Sequence, residues 1–71
     1  MDAREDIAFW VSVYRDSTPV MEGVVRRMEA PVALLPPTLR SEAELIALPP
    51  VVAHLARIRS RLAYWEAQSA A

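Results

Sequence analysis

The sequence contains no cysteine and no lysine, and it has only one glycine, Gly23, and one histidine, His54. Without cysteine the chain can form neither a disulfide nor a thiolate metal site. A single histidine makes a zinc site only when several carboxylates surround it, so we expect no bound metal and no cofactor. The absence of lysine excludes a Schiff base, and the scarcity of glycine excludes a glycine-rich phosphate loop.

Groups that could catalyse a reaction are few. Serine and threonine are present, but any triad would have to be built around His54. Most carboxylates lie in the first turns of predicted helices, where capping and the helix dipole explain them. We therefore expect that the chain is not an enzyme. His54 itself has two readings, a partly exposed helix histidine or a ligand or acid–base group shared with a partner.

The charge and hydropathy patterns bear on nucleic acids and membranes. The formal net charge is −1, which disfavours a chain held by nucleic acid or by an anionic membrane. No apolar run approaches the roughly 18 residues that a membrane span requires. Asp2, Glu5 and Asp6 place acid where a signal peptide would carry basic residues. These features predict a soluble, cytoplasmic protein.

Apolar side chains are what the chain has in abundance, at 54% of its 71 residues. A chain of this length forms one domain, residues 1–71, and buries only about 60% of the surface that its unfolded form exposes. Because neither a disulfide nor a metal is expected, the surplus apolar surface predicts a partner. That partner is either a second copy of the chain or another protein.

Six prolines, at positions 19, 31, 36, 37, 49 and 50, divide the sequence. Proline ends a helix and suits the first turn of the next one, so these positions predict the boundaries of the elements. The first two predicted elements are a helix over 2–15 capped by Asp2 and a helix from Thr18 (N-cap) and Pro19 to about Met28. An extended apolar segment follows over 31–37. The last two are a short helix, which opens with a Ser41–Glu44 capping box and ends at Pro49, and a final helix over 51–68.

The residues 7–13 and Gly23 each have two interpretations. Ile7, Phe9, Val11 and Val13 occupy alternate positions in a run of β-branched and aromatic side chains over 7–13, which is typical of a strand. We favour a helix because no second convincing strand is present to pair with it. Gly23 lies within a predicted helix, where it is either merely tolerated or marks the close approach of a neighbouring helix.

The final helix carries the clearest pattern in the chain. Its apolar residues are spaced by four, three, four and three, which predicts one narrow face packed against another helix. We call this set the C-terminal stripe, and it consists of Val51, Leu55, Ile58, Leu62 and Trp65. Arg57 and Arg61 share a neighbouring face and form a rim, while Arg59 points to another side. We predict that the C-terminal stripe, Arg57 and Arg61 bind the partner.

The predicted fold is all-α, a hairpin or bundle of three to four helices crossed by the extended segment 31–37 and completed by a partner chain. The predicted function is protein–protein interaction, as an accessory or regulatory subunit or an assembly component that docks through its C-terminal helix. The large aromatics are either core residues or interface hot spots, and they are Trp10, Tyr14, Tyr64 and Trp65.

The alternative function is a helix-turn-helix-like DNA-binding regulator that uses residues 41–62. A short capped helix, a break at Pro49-Pro50 and a longer helix with Arg57, Arg59 and Arg61 follow that outline. Two prolines stand where the turn usually has a glycine, and the chain is slightly acidic where most such proteins are basic. Nucleic acid is therefore the less favoured partner.

Overall fold

The computed structural model describes residues 2–71, and this part of the chain is helical, without a strand. Helix α1 spans Ala3–Val32, α2 spans Pro37–Glu42, a π-helical segment spans Ala43–Ala47 and α3 spans Leu48–Ala70. Helical backbone angles at every junction join the last three into one helical arm over 37–70. The all-α prediction is confirmed, but the chain forms two helical arms rather than three to four separate helices.

The predicted break at Pro19 is wrong, because α1 runs through it. Thr18 Oγ1 donates to the Tyr14 carbonyl oxygen at 2.7 Å, so the hydroxyl bonds one turn back instead of capping a new helix. Pro19 has no N–H to offer the Arg15 carbonyl, and the helix loses one hydrogen bond there. Packing of the same helical face before and after Pro19 outweighs that loss.

The N-terminus of α1 follows the sequence prediction. Asp2 is the N-cap, and its Oδ1 accepts a hydrogen bond from the Arg4 backbone N–H at 3.1 Å. Glu5 and Asp6 lie in the first turn, where their charge complements the helix dipole. Residues 7–13 lie within this helix, so the strand alternative is wrong.

The predicted extended segment over 31–37 is also wrong, since it forms a tight turn between the two arms. Helix α1 passes through Pro31 to Val32. The Leu34 N–H then donates to the Pro31 carbonyl at 3.0 Å, and the Leu35 N–H donates to the Val32 carbonyl at 3.1 Å. These bonds tighten the end of the helix, as is common at helix C-termini.

Pro36 and Pro37 start the second arm, earlier than the predicted start at Ser41. Pro36 is the N-cap with ψ of 152°, and Pro37 occupies the first turn, where a missing N–H costs nothing. The Arg40 N–H donates to the Pro36 carbonyl at 2.9 Å, and Arg40 Nη2 reaches the Leu35 carbonyl at 3.3 Å. Ser41 lies inside α2, so the predicted Ser41 capping box is wrong.

Pro49-Pro50 does not break the second arm. The two prolines occupy the first turn of α3, directly after the π-helical segment. The Leu48 N–H donates to the Ala43 carbonyl five residues back, which is the wide π-type bond. We attribute this widening to the proline rings, which would crowd the carbonyls of a regular α-helix. Residues 41–62 are helical throughout and lack the predicted break of a helix-turn-helix.

Helices α1 and α3 pack antiparallel and form a hairpin that measures 53 × 18 × 16 Å. Almost all contacts between residues distant in sequence join these two helices. Each helix contributes two residues to the buried core, which consists of Val11 and Val25 from α1 and Leu55 and Ile58 from α3. In residues 2–71 no large side chain is completely buried, so the core is thin.

Candidate interaction surfaces

The C-terminal stripe lies against α1 of the same chain. Leu55 and Ile58 are only 5% and 8% exposed, and Val51, Leu62 and Trp65 are half-buried. The stripe is thus the face of α3 that closes the hairpin, and a partner would reach its buried members only if the hairpin opened. Its role in binding a partner stays a prediction.

The arginines of α3 lie on two sides of the hairpin. Arg57 and Arg61 are exposed beside the C-terminal stripe, as the spacing predicts. Arg61 places its guanidinium 4.7 Å from the centre of the Tyr64 ring and 5.8 Å from that of Trp65, a cation–π arrangement. Arg59 points to the other side, where it meets α1.

One long side of the hairpin carries ion pairs between the helices. Glu22 Oε1 lies 3.3 Å from Arg59 Nη2, and Arg15 Nη2 lies 3.8 Å from Glu66 Oε2. These side chains are substantially exposed, so each pair contributes about 0–1 kcal/mol to stability. Their main effect is to favour the antiparallel register. We call this the ion-paired side.

The opposite long side carries an open groove of about 410 Å³, which we call the groove side. Its lining residues are Asp16, Ser17, Val20, Met21, His54 and Ile58. Val20 is 63% exposed there, and His54 lies exposed at the edge. Among residues 2–71 no ion pair crosses the hairpin on this side. The two sides therefore differ in chemistry, one charged and paired, the other largely apolar and open.

The predicted aromatic residues meet near the end of the hairpin remote from the turn. The Trp10 and Trp65 rings stack with centroids 6.3 Å apart and an interplanar angle of 19°. Tyr14 lies beside Trp10, and Tyr64 lies beside Trp65, with centroids 6.1 and 5.3 Å apart. Within the described chain, the buried Trp65 Nε1 has no hydrogen-bond acceptor. The cluster is partly core, since Trp10 and Tyr64 remain 41% and 47% exposed.

A second groove, at the turn end, was not predicted from the sequence. The segment 37–47 lies beyond the main contact between α1 and α3 and packs chiefly within its own arm. It exposes a concavity of about 350 Å³, which we call the turn-end groove, lined by Leu35, Leu39, Glu42, Ala43, Ile46 and Ala47. Leu39 and Ile46 are 50% and 67% exposed. Leu34 and Leu45, at 87% and 77%, add to the exposed apolar surface of this region.

A signal for this groove was present in the sequence. Leu35, Leu39, Ala43 and Ile46 are spaced by four, four and three, which is one face of a helix. This pattern was obscured because Pro36-Pro37 and the predicted helix start at Ser41 assigned these residues to different elements. Gly23 proves merely tolerated, since a Cβ there would meet nothing nearer than Arg26 of its own helix, at 4.0 Å.

Over residues 2–71, no three His, Asp or Glu side chains are grouped so that they could hold a metal ion. None of the helices in that range combines the length and the apolar character needed to cross a bilayer. The sequence matches no protein-family model, and neither a curated protein nor a solved structure gave a significant match.

Proposed function

We propose that the chain is a protein–protein interaction module whose turn-end groove receives an apolar helix of a partner protein. The observation that carries this proposal is the exposure of large apolar side chains along the groove, with Ile46 at 67% and Leu39 at 50%. A row of such residues on a small chain is typical of an interaction site rather than of an ordinary surface.

The burial pattern supports the same conclusion. Only four side chains of the described chain are buried, whereas nine large apolar side chains are exposed. Complete burial of a leucine or isoleucine contributes about 1.5–3 kcal/mol relative to leaving it in water. Covering the turn-end groove would therefore add stabilisation comparable to part of the core. A partner that covers this groove gains affinity by burying apolar surface that the hairpin leaves exposed to solvent.

The shape of the groove favours a helix as its occupant. Leu39, Ala43 and Ile46 lie along one face of the second arm, with Leu35 of the turn beside them, while α1 already ends at Val32. The second arm thus extends an apolar face that α1 does not cover. An amphipathic helix with apolar residues three and four apart would fit this face. Glu42 at the edge would favour a basic residue on the partner.

Within this proposal the C-terminal stripe is the scaffold that holds the hairpin together. The module would act as an accessory or regulatory subunit or as an assembly component, and the cytoplasm remains its predicted compartment. DNA binding is the weaker proposal, because residues 41–62 form no turn. Arg59, one of the three arginines invoked for phosphate contact, is also paired with Glu22.

The test compares two baits that differ from the wild-type chain at one exposed position each. Ile46→Glu places a charge in the turn-end groove, and Val52→Glu places the same charge on α3 outside it, where Val52 is 46% exposed. Both variants should keep the wild-type helical signal by circular dichroism. We expect quantitative capture from the source cells to lose a specific protein with Ile46→Glu and to retain it with Val52→Glu. Equal capture by both variants would contradict the proposal.

A further inference from the structure

We propose that the groove side is the contact between two copies of this chain, which form a symmetric four-helix dimer. This inference concerns a different surface from the turn-end groove and does not depend on the partner proposed above. The two long sides of the hairpin differ in chemistry. The ion-paired side is already closed by Glu22–Arg59 and Arg15–Glu66, whereas the groove side presents Val20 to solvent at 63%.

Away from the turn, the two edges of the groove side carry opposite charges. Asp16 lines the groove on the α1 edge, and Asp6 lies two heptads before Val20 on the same helical face. Arg27, one heptad after Val20, makes this edge basic only nearer the turn. On the α3 edge, His54 lines the groove, and Arg61 lies seven residues further along that face. Over the part of the groove side that is remote from the turn, an acidic α1 edge beside a basic α3 edge makes the surface complementary to itself, which is what an isologous contact between two copies requires.

The charges also select the direction of the twofold axis. An axis parallel to the hairpin lays α1 of one copy on α3 of the second copy, so acidic edges meet basic edges. An axis that runs across the hairpin in the plane of contact lays α3 of one copy on α3 of the second copy. The two basic α3 edges then meet, and their like charges repel each other. The first arrangement also makes every pair of neighbouring helices antiparallel, with favourably opposed helix dipoles.

The intrachain ion pairs identify which charges would meet. Arg15 is paired with Glu66, so Asp16 is close to the level of Trp65 along the hairpin, about one helical turn from Arg61. With the axis parallel to the hairpin, residues at one level in the two copies face each other. Asp16 therefore lies about one helical turn from Arg61 of the second copy, a gap that the long arginine side chain spans, and the symmetry forms this pair twice. Val20 and Met21 would be covered between the two hairpins.

The first experiment measures the mass of the purified chain by sedimentation equilibrium over a range of concentrations. We expect a monomer–dimer equilibrium for the wild-type chain. Val20→Glu should raise the dissociation constant at least about tenfold, because it buries an unpaired charge. Val52→Glu, an exposed valine on the opposite side, should leave it unchanged. A monomer at every concentration, or equal effects of the two variants, would overturn the proposal.

The second experiment tests the contact between copies without adding charge to the groove. Asp16→Arg and Arg61→Asp should each weaken the homodimer, because each homodimer then holds two pairs of like charges. Mixing the two variants should restore the dimer, since both pairs in the mixed dimer have opposite charges. Failure of the mixture to associate more strongly than either variant alone would overturn the assignment of this pair.

A third variant separates this proposal from the one for the turn-end groove. Ile46→Glu should abolish capture of the partner protein and leave the dimer dissociation constant unchanged, because Ile46 lies outside the groove side. Loss of the dimer in Ile46→Glu would place the self-contact at the turn end and overturn the inference.

Discussion

The part of the hairpin where α1 packs on α3, which we call the paired body, has the same kind of apolar periodicity as the segment 37–47, yet only the paired body builds a core. In α3 the C-terminal stripe is covered by α1, and Leu55 and Ile58 are buried. In segment 37–47 the row continues through Leu39 and Ile46, which remain at least half exposed. An amphipathic pattern therefore predicts that a face will be covered, but it does not say which chain covers it.

The sharpest way to test this comparison is to place a carboxylate in each region. Ile58→Asp buries a charge between α1 and α3 and should lower the free energy of unfolding by more than about 3 kcal/mol, enough to abolish the helical signal of a small domain. Ile46→Asp should change it by less than about 1 kcal/mol. Circular dichroism during urea titration measures both. A folded Ile58→Asp variant would show that the hairpin does not depend on this core.

Truncation gives a milder version of the same comparison. Leu55→Ala leaves a cavity in the core and should lower the free energy of unfolding by about 2–3 kcal/mol. Leu39→Ala removes a half-exposed side chain and should lower it by less than about 1 kcal/mol. Urea denaturation of the two variants, matched in chemistry, compares the regions directly. Equal losses would mean that the turn-end groove is part of the hairpin core.

Proline substitution tests whether packing in the paired body overrides local preference. Pro19→Ala removes an exposed proline from the interior of α1 and should raise the free energy of unfolding by about 1–3 kcal/mol. Pro37→Ala, in the first turn of α2, should have little effect, since proline is well suited to that position. Thermal unfolding followed by circular dichroism suffices for both. A destabilised Pro19→Ala variant would contradict the continuous helix.

The ion-paired side should contribute the smallest effect. Glu22→Gln removes one charge of the Glu22–Arg59 pair and should lower the free energy of unfolding by about 0.2–1 kcal/mol at low salt. The loss should shrink in 1 M salt, where the Debye length falls to about 3 Å. Denaturation at two salt concentrations measures it, with Glu29→Gln as the unpaired control on the same helix.

The sequence-based predictions succeeded where one local signal acted alone. Asp2 was correctly identified as an N-cap, and α3 was correctly identified from its apolar spacing. They failed at Pro19, Pro31 and Pro49, where proline predicts helix boundaries that the helical backbone passes through. The apolar periodicity of α1 argues against a helix boundary at Pro19. Apolar or small residues recur by four and three across Pro19, at Ile7, Val11, Tyr14, Thr18, Met21, Val25, Met28 and Val32.

The candidate surfaces divide in the same way. The C-terminal stripe and its arginine rim could be read from spacing, since periodicity reports which side chains share a face. Spacing does not identify what covers that face, because the same periodicity suits packing against α1 and packing against a second chain. The turn-end groove and the groove side depend on where α1 ends and how it lies on α3.

Local chemistry by itself determined the helical class, the N-cap at Asp2 and the apolar face of α3. These depend on backbone preferences and on hydrogen bonds within a few residues. Only the tertiary structure decided that Pro19 lies inside a helix, that the π-helical segment carries the arm into Pro49-Pro50, and which apolar residues remain exposed. The physical reason is that the packing of two helices along their length outweighs the cost of a few lost backbone hydrogen bonds.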